Sequence, residues 1–398
     1  MTGNSFSVSG YGPARAGWTR ILARDSLARR LDWPILFAAT ALSLIGSLLV
    51  YSATRNRTEI NQGDPYYFLI RHLMNLGIGL ALMVGTLWLG HRALRNAVPI
   101  LYGTSLLGVL LVLTPLGATI NGSRNWIVFG GGFSLQPAEF VKITIILGMA
   151  MILAARVDAG DKPYPDHRTV LQSLGLATVP ILIVLLMPDL GTVLAMVAII
   201  LGVLLASGAS NRWIFGLLTA GVVGCVAIWQ LHILDEYQIN RFAAFANPDL
   251  DPAGVGYNTN QARIAIGSGG LTGAGLFHGS QTTGQFVPEQ QTDFVFTVAG
   301  EELGFVGAGL IILLLGVILW RACRIARDST ELYGTIVAAG IVAWFAFQAF
   351  ENIGMTLGIM PVTGLPLPFV SYGGSSMFAV WVAIGLLQSI KVQRPMSA

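Results

Sequence analysis

The sequence predicts an all-α polytopic membrane protein of about ten transmembrane helices, with a large external loop between the seventh and eighth. Three observations carry this. Hydrophobic residues make up 54% of the 398 residues and charged residues only 11%, where a soluble domain carries about 25% charge. Apolar runs near the roughly 20 residues that cross a bilayer recur at 33–53, 68–90, 98–116, 137–155, 170–187, 190–208, 212–232, 294–319, 332–358 and 367–390. One long polar segment, 234–293, interrupts them.

The elements follow in order. Residues 1–32 are basic and rich in Ser, Gly and Arg, without the apolar centre of a signal peptide, and read as a disordered cytoplasmic tail. The membrane domain runs 33–390, and 391–398 forms a short cytoplasmic C-terminal tail. The fifth and sixth spans join by a tight turn at Pro188-Asp189, and an external stretch at Gly117–Gln136 separates the third and fourth. Asn247-Pro248-Asp249-Leu250-Asp251-Pro252 and the run Gly267–Gly275 mark turns and flexible loop, with a short surface helix around Arg263-Ile264-Ala265-Ile266. Met360–Gly374 carries Pro361, Pro366, Pro368 and Gly373, so its backbone is irregular. Such backbone is tolerated at membrane depth only when buried in protein or lining a cavity.

Basic residues set the orientation. Arg15, Arg20, Arg24, Arg29, Arg30, Arg92, Arg95, Arg156, Lys162, Arg168, Arg212, Arg321, Arg324, Arg327, Lys391 and Arg394 fall on one side. Arg55, Arg57, Arg71, Arg124, Arg241 and Arg263 fall on the other, and Lys142 lies within a span. The positive-inside rule makes both termini cytoplasmic and the long loop external. A net charge of +3 then suits an anionic inner leaflet and membrane lipids, not nucleic acid. Cys225 and Cys323 sit in apolar segments with no disulfide or metal spacing. Walker, His-Glu-x-x-His and Gly-x-Ser-x-Gly motifs are absent, which argues against a nucleotide-driven pump, a zinc hydrolase and a serine hydrolase.

Ionisable groups inside the bilayer cost at least ~2.5 kcal/mol each, so each one needs a reason. Glu139 and Lys142, three apart, share a helix face and read either as a self-neutralising pair or as substrate ligands. Gln348, Glu351 and Asn352 form one stripe of the ninth span, where amides serve as helix–helix glue or line a cavity. Asp293 leads the eighth span, with Thr297 and Glu301 on the same face; an N-cap role is its plain reading. Glu301 and Glu302 are adjacent and repel each other unless wet or paired.

Four stretches resemble the SEDS family, the shape, elongation, division and sporulation polymerases of bacterial cell walls. They are Asn247 to Asn258, Gln261 to Gly270, Pro288-Glu289 with Thr292-Asp293-Phe294, and Ser371-Tyr372-Gly373-Gly374-Ser375-Ser376. The likeness spans about residues 33–390. Asn352-Ile353-Gly354-Met355 and Pro361 to Pro368 look more like the rod-shape branch (RodA) than the division branch (FtsW). The resemblance implies a ten-span fold, a peptidoglycan glycosyltransferase acting on lipid II outside the membrane, and a class B penicillin-binding protein transpeptidase within the elongation machinery as partner. It assigns Asp293 to the family's essential aspartate, displacing the N-cap reading, and places Glu139 and Lys142 at the substrate cavity. Asn121-Gly122-Ser123-Arg124 departs from the family's Gly-Ala-x-Arg but keeps Arg124.

The chemistry fits one carboxylate plus cations. A lipid diphosphate leaves readily once its charge is stabilised, whereas the acceptor sugar hydroxyl needs a base, unlike the two carboxylates of glycoside hydrolysis. Asp293 is therefore the expected base, with inversion at the anomeric carbon. Arg124, Lys142, Arg241 and Arg263 are the candidate diphosphate ligands, with Glu139, Glu301, Gln348, Asn352 and Ser371 lining the substrate site. A divalent cation, Mg or Mn, stays open as a helper. A lipid II flippase or a scaffold recruiting a wall synthase are the rival readings. A flippase wants polar groups along the whole path, whereas these cluster at the external ends of spans.

Overall fold

In the computed structural model, residues 27–58, 61, 63–120, 123–129, 133–161, 163–187, 189–230 and 255–393 are described. The expected N-terminal tail (apart from Leu27–Asp32), Arg241 and the stretch from 231 to 254 lie outside them, as does the chain after Gln393.

Three of the helices begin where a capping side chain meets an apolar run. Asp32 accepts from the Ile35 amide and opens α1 (Trp33–Thr54), with Pro34 inside the first turn. Asp166 and Asp189 do the same through Thr169 and Thr192 for α4 (His167–Leu185) and α5 (Leu190–Ala206). Each cap satisfies an amide with no intrahelical partner. The others are α2 (Tyr67–Leu113), α3 (Pro137–Asp158), α6 (Asn211–Gln230), α7 (Val255–Ser268), α8 (Val295–Arg327), α9 (Leu332–Leu357) and α10 (Gly374–Val392). Seven described helices are long and apolar enough to cross a membrane. The 47-residue α2 makes two crossings, because Gly90 at φ 77°, ψ 150° breaks it. With α5 and α6 the expected ten crossings are complete.

Three departures from the sequence reading matter. The stretch after α2 is not loop but a three-stranded antiparallel sheet of β1 (Gly117–Ile120), β2 (Ser123–Phe129) and β3 (Phe133–Leu135), in that order. It pairs Gly117 with Ile127, and Ile127 with Leu135. The tenth span begins at Gly374, not 367. Leu367–Gly373 belongs to an irregular segment that plunges into the bundle, burying Leu365, Leu367, Phe369 and Val370.

The glycine run is not a free loop either. Gly304 breaks α8 at φ 65°, and the chain at 269–275 lies against the break. Ala274 and Gly275 donate to the carbonyls of Glu301 and Glu302, and Phe305 and Val306 donate to Gly270 and Leu271. A Cβ on Gly269 would meet the Gly300 carbonyl at 2.0 Å, and one on Gly273 the Glu302 carbonyl at 2.1 Å. Glycine is required there because two backbones touch. The interrupted helix thereby regains the partners that lipid cannot supply.

Candidate functional site

Asp293 sits at the end of the bundle where α1, α3, α5, α8 and α9 present their Thr54, Pro137, Leu190, Val295 and Leu357 termini. Its turn is built by the motif that precedes it. Glu289, at φ 49°, has its carbonyl accept from the amides of Thr292 and Phe294. Its carboxylate takes the Gln291 amide and Thr292 hydroxyl at 3.2 Å each. Arg57 holds the turn from α1's side, donating to the Val287 carbonyl at 3.0 Å. Burial pushes the Arg57 guanidinium down from its ordinary range, and the nearby Glu289 charge pushes it back up. Phe294, not Asp293, occupies the cap position of α8, so the carboxylate is not the N-cap and is half-buried.

Two side chains fix the backbone on either side of that carboxylate. Asn352 Nδ2 donates to the Asp293 and Leu365 carbonyls at 2.7 Å each. Ser371 Oγ donates to the Thr292 carbonyl at 2.5 Å and accepts from the Leu367 amide at 2.8 Å. Both thus pin the 293 turn to the irregular segment. Gly364, at φ 77°, lies directly beside the carboxylate: a Cβ there would stand 3.3 Å from Asp293 Oδ2. Sequence reasoning grouped Asn352 and Ser371 with the substrate ligands; in the structure their contacts position Asp293.

Below this lies a buried polar network. Lys142 Nζ is 2.7 Å from Glu139 Oε1 and 3.1 Å from Gln348 Oε1, and stands 4.8 Å over the Trp344 ring. Trp344 Nε1 donates to the same Gln348 oxygen at 2.6 Å, and Gln348 Nε2 donates to the Pro366 carbonyl at 2.7 Å. Glu139 and Lys142 are 1% and 0% exposed. Burying such a pair costs several kcal/mol per ion, recovered only with good geometry and further hydrogen bonds. Here the recovery is partial, because Glu139 Oε2 has no partner. Glu351 Oε1 takes the Thr363 hydroxyl at 2.6 Å, but its Oε2, like Asn352 Oδ1, is buried and unpartnered. Three orphaned acceptors thus surround the segment that carries Gly364.

The remaining candidates hold the frame. Arg124, on β2, donates to the Thr114 carbonyl at 2.7 Å. Arg263, on α7, donates to the Leu357 and Gly358 carbonyls at 3.1 and 2.8 Å, closing the end of α9. Both guanidinium groups stay exposed. Glu301 caps the single turn Ser280–Thr283, accepting from the amides of Gln281 and Thr282 at 2.7 and 2.9 Å. Glu302 accepts from Ser52 Oγ at 2.5 Å. The adjacent carboxylates therefore point to different partners, with Glu302 Oε2 buried and left without one. Glu301, expected to line the substrate site, caps this turn with both carboxylate oxygens.

Among the described residues no group of three His, Cys, Asp or Glu converges to hold a metal. Mg²⁺ commonly needs only one or two carboxylates plus substrate phosphates, which Asp293 and a diphosphate could offer. Sequence reasoning passed over Thr363, Gly364 and Trp344. The Thr-Gly inside a proline-rich segment beside a polar helix stripe was the available signal.

This arrangement has known counterparts. The family model described as "Cell cycle protein", covering FtsW, RodA and SpoVE, matches residues 32–395. The chain belongs to this family. Stage V sporulation protein E of Bacillus subtilis is 36% identical over 362 residues, covering 90% of this chain and 96% of that one. The probable peptidoglycan glycosyltransferase FtsW of Trichlorobacter lovleyi is 35% identical over 377 residues, covering 93% and 95%. Among solved structures, a chain of a peptidoglycan synthase complex that coordinates polymerization and crosslinking superposes with a TM-score of 0.74 at 30% identity, covering 91% of this chain and 97% of its own. The rod shape determining protein RodA of Thermus thermophilus superposes with a TM-score of 0.65 at 30% identity, covering 91% and 96%. With FtsW, SpoVE and RodA all similar, the family is secure while its rod-shape branch is not singled out.

Proposed function

We propose that Asp293 is the general base with which this peptidoglycan glycosyltransferase polymerises lipid II at the outer face of the bacterial cytoplasmic membrane. The observation that carries the reading is the carboxylate itself: half-buried and displaced from the helix cap, with Asn352 and Ser371 fixing the backbone at 293 and 292 and Gly364 lying beside it. It accepts the proton of the acceptor sugar hydroxyl as that oxygen bonds to the donor's anomeric carbon. The bond from that carbon to the lipid diphosphate breaks, and the centre inverts. Positioned base help of this kind contributes roughly 10²–10⁴ in rate.

The exposed guanidinium groups of Arg124 and Arg263 keep N–H donors beyond those given to backbone carbonyls. They are the described cations suited to the departing diphosphate; Arg241 lies outside the described residues. Lys142 acts indirectly, through Gln348 and Pro366, on the shape of the segment beside Asp293. The basic residues opposite Asp293 support, by the positive-inside rule, a reading with both termini in the cytoplasm and the carboxylate outside. A class B penicillin-binding protein is the partner that would crosslink the product. The Asn352-Ile353-Gly354-Met355 motif favours cell elongation over division.

Purified full-length chain given labelled lipid II in detergent is expected to yield glycan strands. Lipid movement across vesicles without strand formation would instead make the protein a flippase. Neither strands nor movement, even with the crosslinking partner added, would leave a scaffold.

A further inference from the structure

At the end of the bundle opposite Asp293, a polar cavity of about 830 Å³ opens between the Gly90 break of α2, the end of α3 and the α8–α9 turn. Arg92 and Arg95 lie on one face of α2, three residues apart. Arg92 pairs with Glu331, and Arg95 Nη1 lies 3.0 Å from Asp158 Oδ2. The Asp158 carboxylate is held in place, its Oδ1 accepting from the Leu332 amide at 2.8 Å, while Ser329 Oγ donates to the main-chain carbonyl of Glu331 at 2.9 Å and steadies the turn that carries it. Tyr333 supports the Arg95 guanidinium at 4.8 Å. Asn96 and Thr330 complete the polar wall.

The lining therefore carries two cations and two anions side by side, each cation paired with one of the anions. A plain anion entering would meet both carboxylates, and a plain cation both guanidiniums. A zwitterion whose charges are two carbons apart meets opposite charge at each end. Each guanidinium has five N–H donors, so each keeps several for a phosphate after its ion pair. Surface around the same end points to a lipid source. Trp88 and Leu89, just before the break, are 86% and 54% exposed, and Trp320 on α8 is 54% exposed. Exposed tryptophan next to charge marks the boundary between hydrocarbon and headgroups. The volume lies within the roughly 300–1,000 Å³ of small-molecule sites.

We propose that this cavity binds the phosphoethanolamine headgroup of an inner-leaflet phospholipid. Arg92 and Arg95 hold the phosphate, and Asp158 and Glu331 hold the ammonium. A choline headgroup has the same charges but no N–H, and a glycerol headgroup lacks the cation, so both bind more weakly.

The test uses the purified full-length chain in nanodiscs of phosphatidylcholine doped with phosphatidylethanolamine or phosphatidylglycerol. Retained lipid is read by mass spectrometry. Phosphatidylethanolamine is expected to be enriched at least tenfold over both others, and the Arg92→Ala/Arg95→Ala double variant and Glu331→Gln to lose that enrichment. Equal retention of all three lipids, or enrichment unchanged in the variants, overturns the proposal. Soluble phosphoethanolamine competing as well as the lipid overturns the lipid source. Because the variants break ion pairs that could support folding, a photo-reactive phosphatidylethanolamine is used on the unaltered chain. Cross-links to peptides containing Arg92–Asn96 and Ser329–Thr335 support the site; cross-links only elsewhere sink it.

Discussion

Two carboxylate clusters, one at each end of the bundle, follow opposite rules. At the inner end Asp32 takes Arg321 Nε at 2.9 Å and Nη2 at 2.5 Å, Lys391 Nζ at 2.9 Å and the Ile35 amide at 3.4 Å. Its main chain is also tied to Gln388, at 2.8 and 3.0 Å. Neither of its oxygens is left over. At the outer end Glu139 Oε2, Glu351 Oε2 and Asn352 Oδ1 are buried without partners, grouped around the segment beside Asp293. An unmade buried hydrogen bond costs about 1–3 kcal/mol. The saturated cluster ties helix ends together, whereas the unsaturated one leaves acceptors open to water or substrate beside the segment at Asp293.

The largest effect that would sharpen this contrast is at Asp293. Asp293→Ala should lower lipid II polymerisation by about 10²-fold or more while the protein keeps its detergent melting temperature. Next comes the buried pair. Lys142→Met alone should destabilise by about 3–5 kcal/mol, because it strands the Glu139 charge. Pairing it with Glu139→Leu should restore most of the stability, read as thermal unfolding, but not the activity. A double variant that polymerised normally would make this pair mere ballast, like Asp32's.

At the inner end Asp32→Asn should cost about 3 kcal/mol and leave turnover per folded molecule unchanged. Burial alone would raise the Asp32 carboxyl, but Arg321 and Lys391 together hold it below its ordinary value. Its contribution is therefore present above the ordinary carboxylate pKa and lost as pH falls through the lowered one. The variant should lose that part of the acid-side decline in melting temperature. The smallest effect is expected at Glu351→Gln: activity down about tenfold through looser placement of Thr363 and Gly364, with stability within about 1 kcal/mol. An unchanged rate there would detach the Glu351–Thr363 contact from the site.

Much of this was legible in the residues, because a bilayer imposes a length and a polarity that any sequence must obey. The ten crossings, the pairing of Glu139 with Lys142, and the polar stripe of α9 all follow from spacing alone. The sheet escaped notice because Trp126-Ile127-Val128-Phe129 is a short β-prone run next to long apolar helices, whose signal dominates any window. The glycine run read as flexible because glycine's freedom is visible in sequence and the backbone it must touch is not. For the same reason the sequence showed the charge of Arg124, Arg263 and Glu301 but not the carbonyls and amides they bond, which are created only by the fold. Asn352 was found by its place in the polar stripe and Ser371 by motif, but that they act on the backbone of 292–293 needed coordinates.

Running the inner and outer acids through one assay tests the account most directly. Wild-type, Asp293→Asn and Asp32→Asn proteins, each shown to be folded, are given labelled lipid II, and strand formation is followed over time. The account expects strands from Asp293→Asn, which keeps shape but cannot take a proton, to form at least about 10²-fold more slowly, and wild-type turnover from folded Asp32→Asn. Strands formed by Asp293→Asn at the wild-type rate would contradict it.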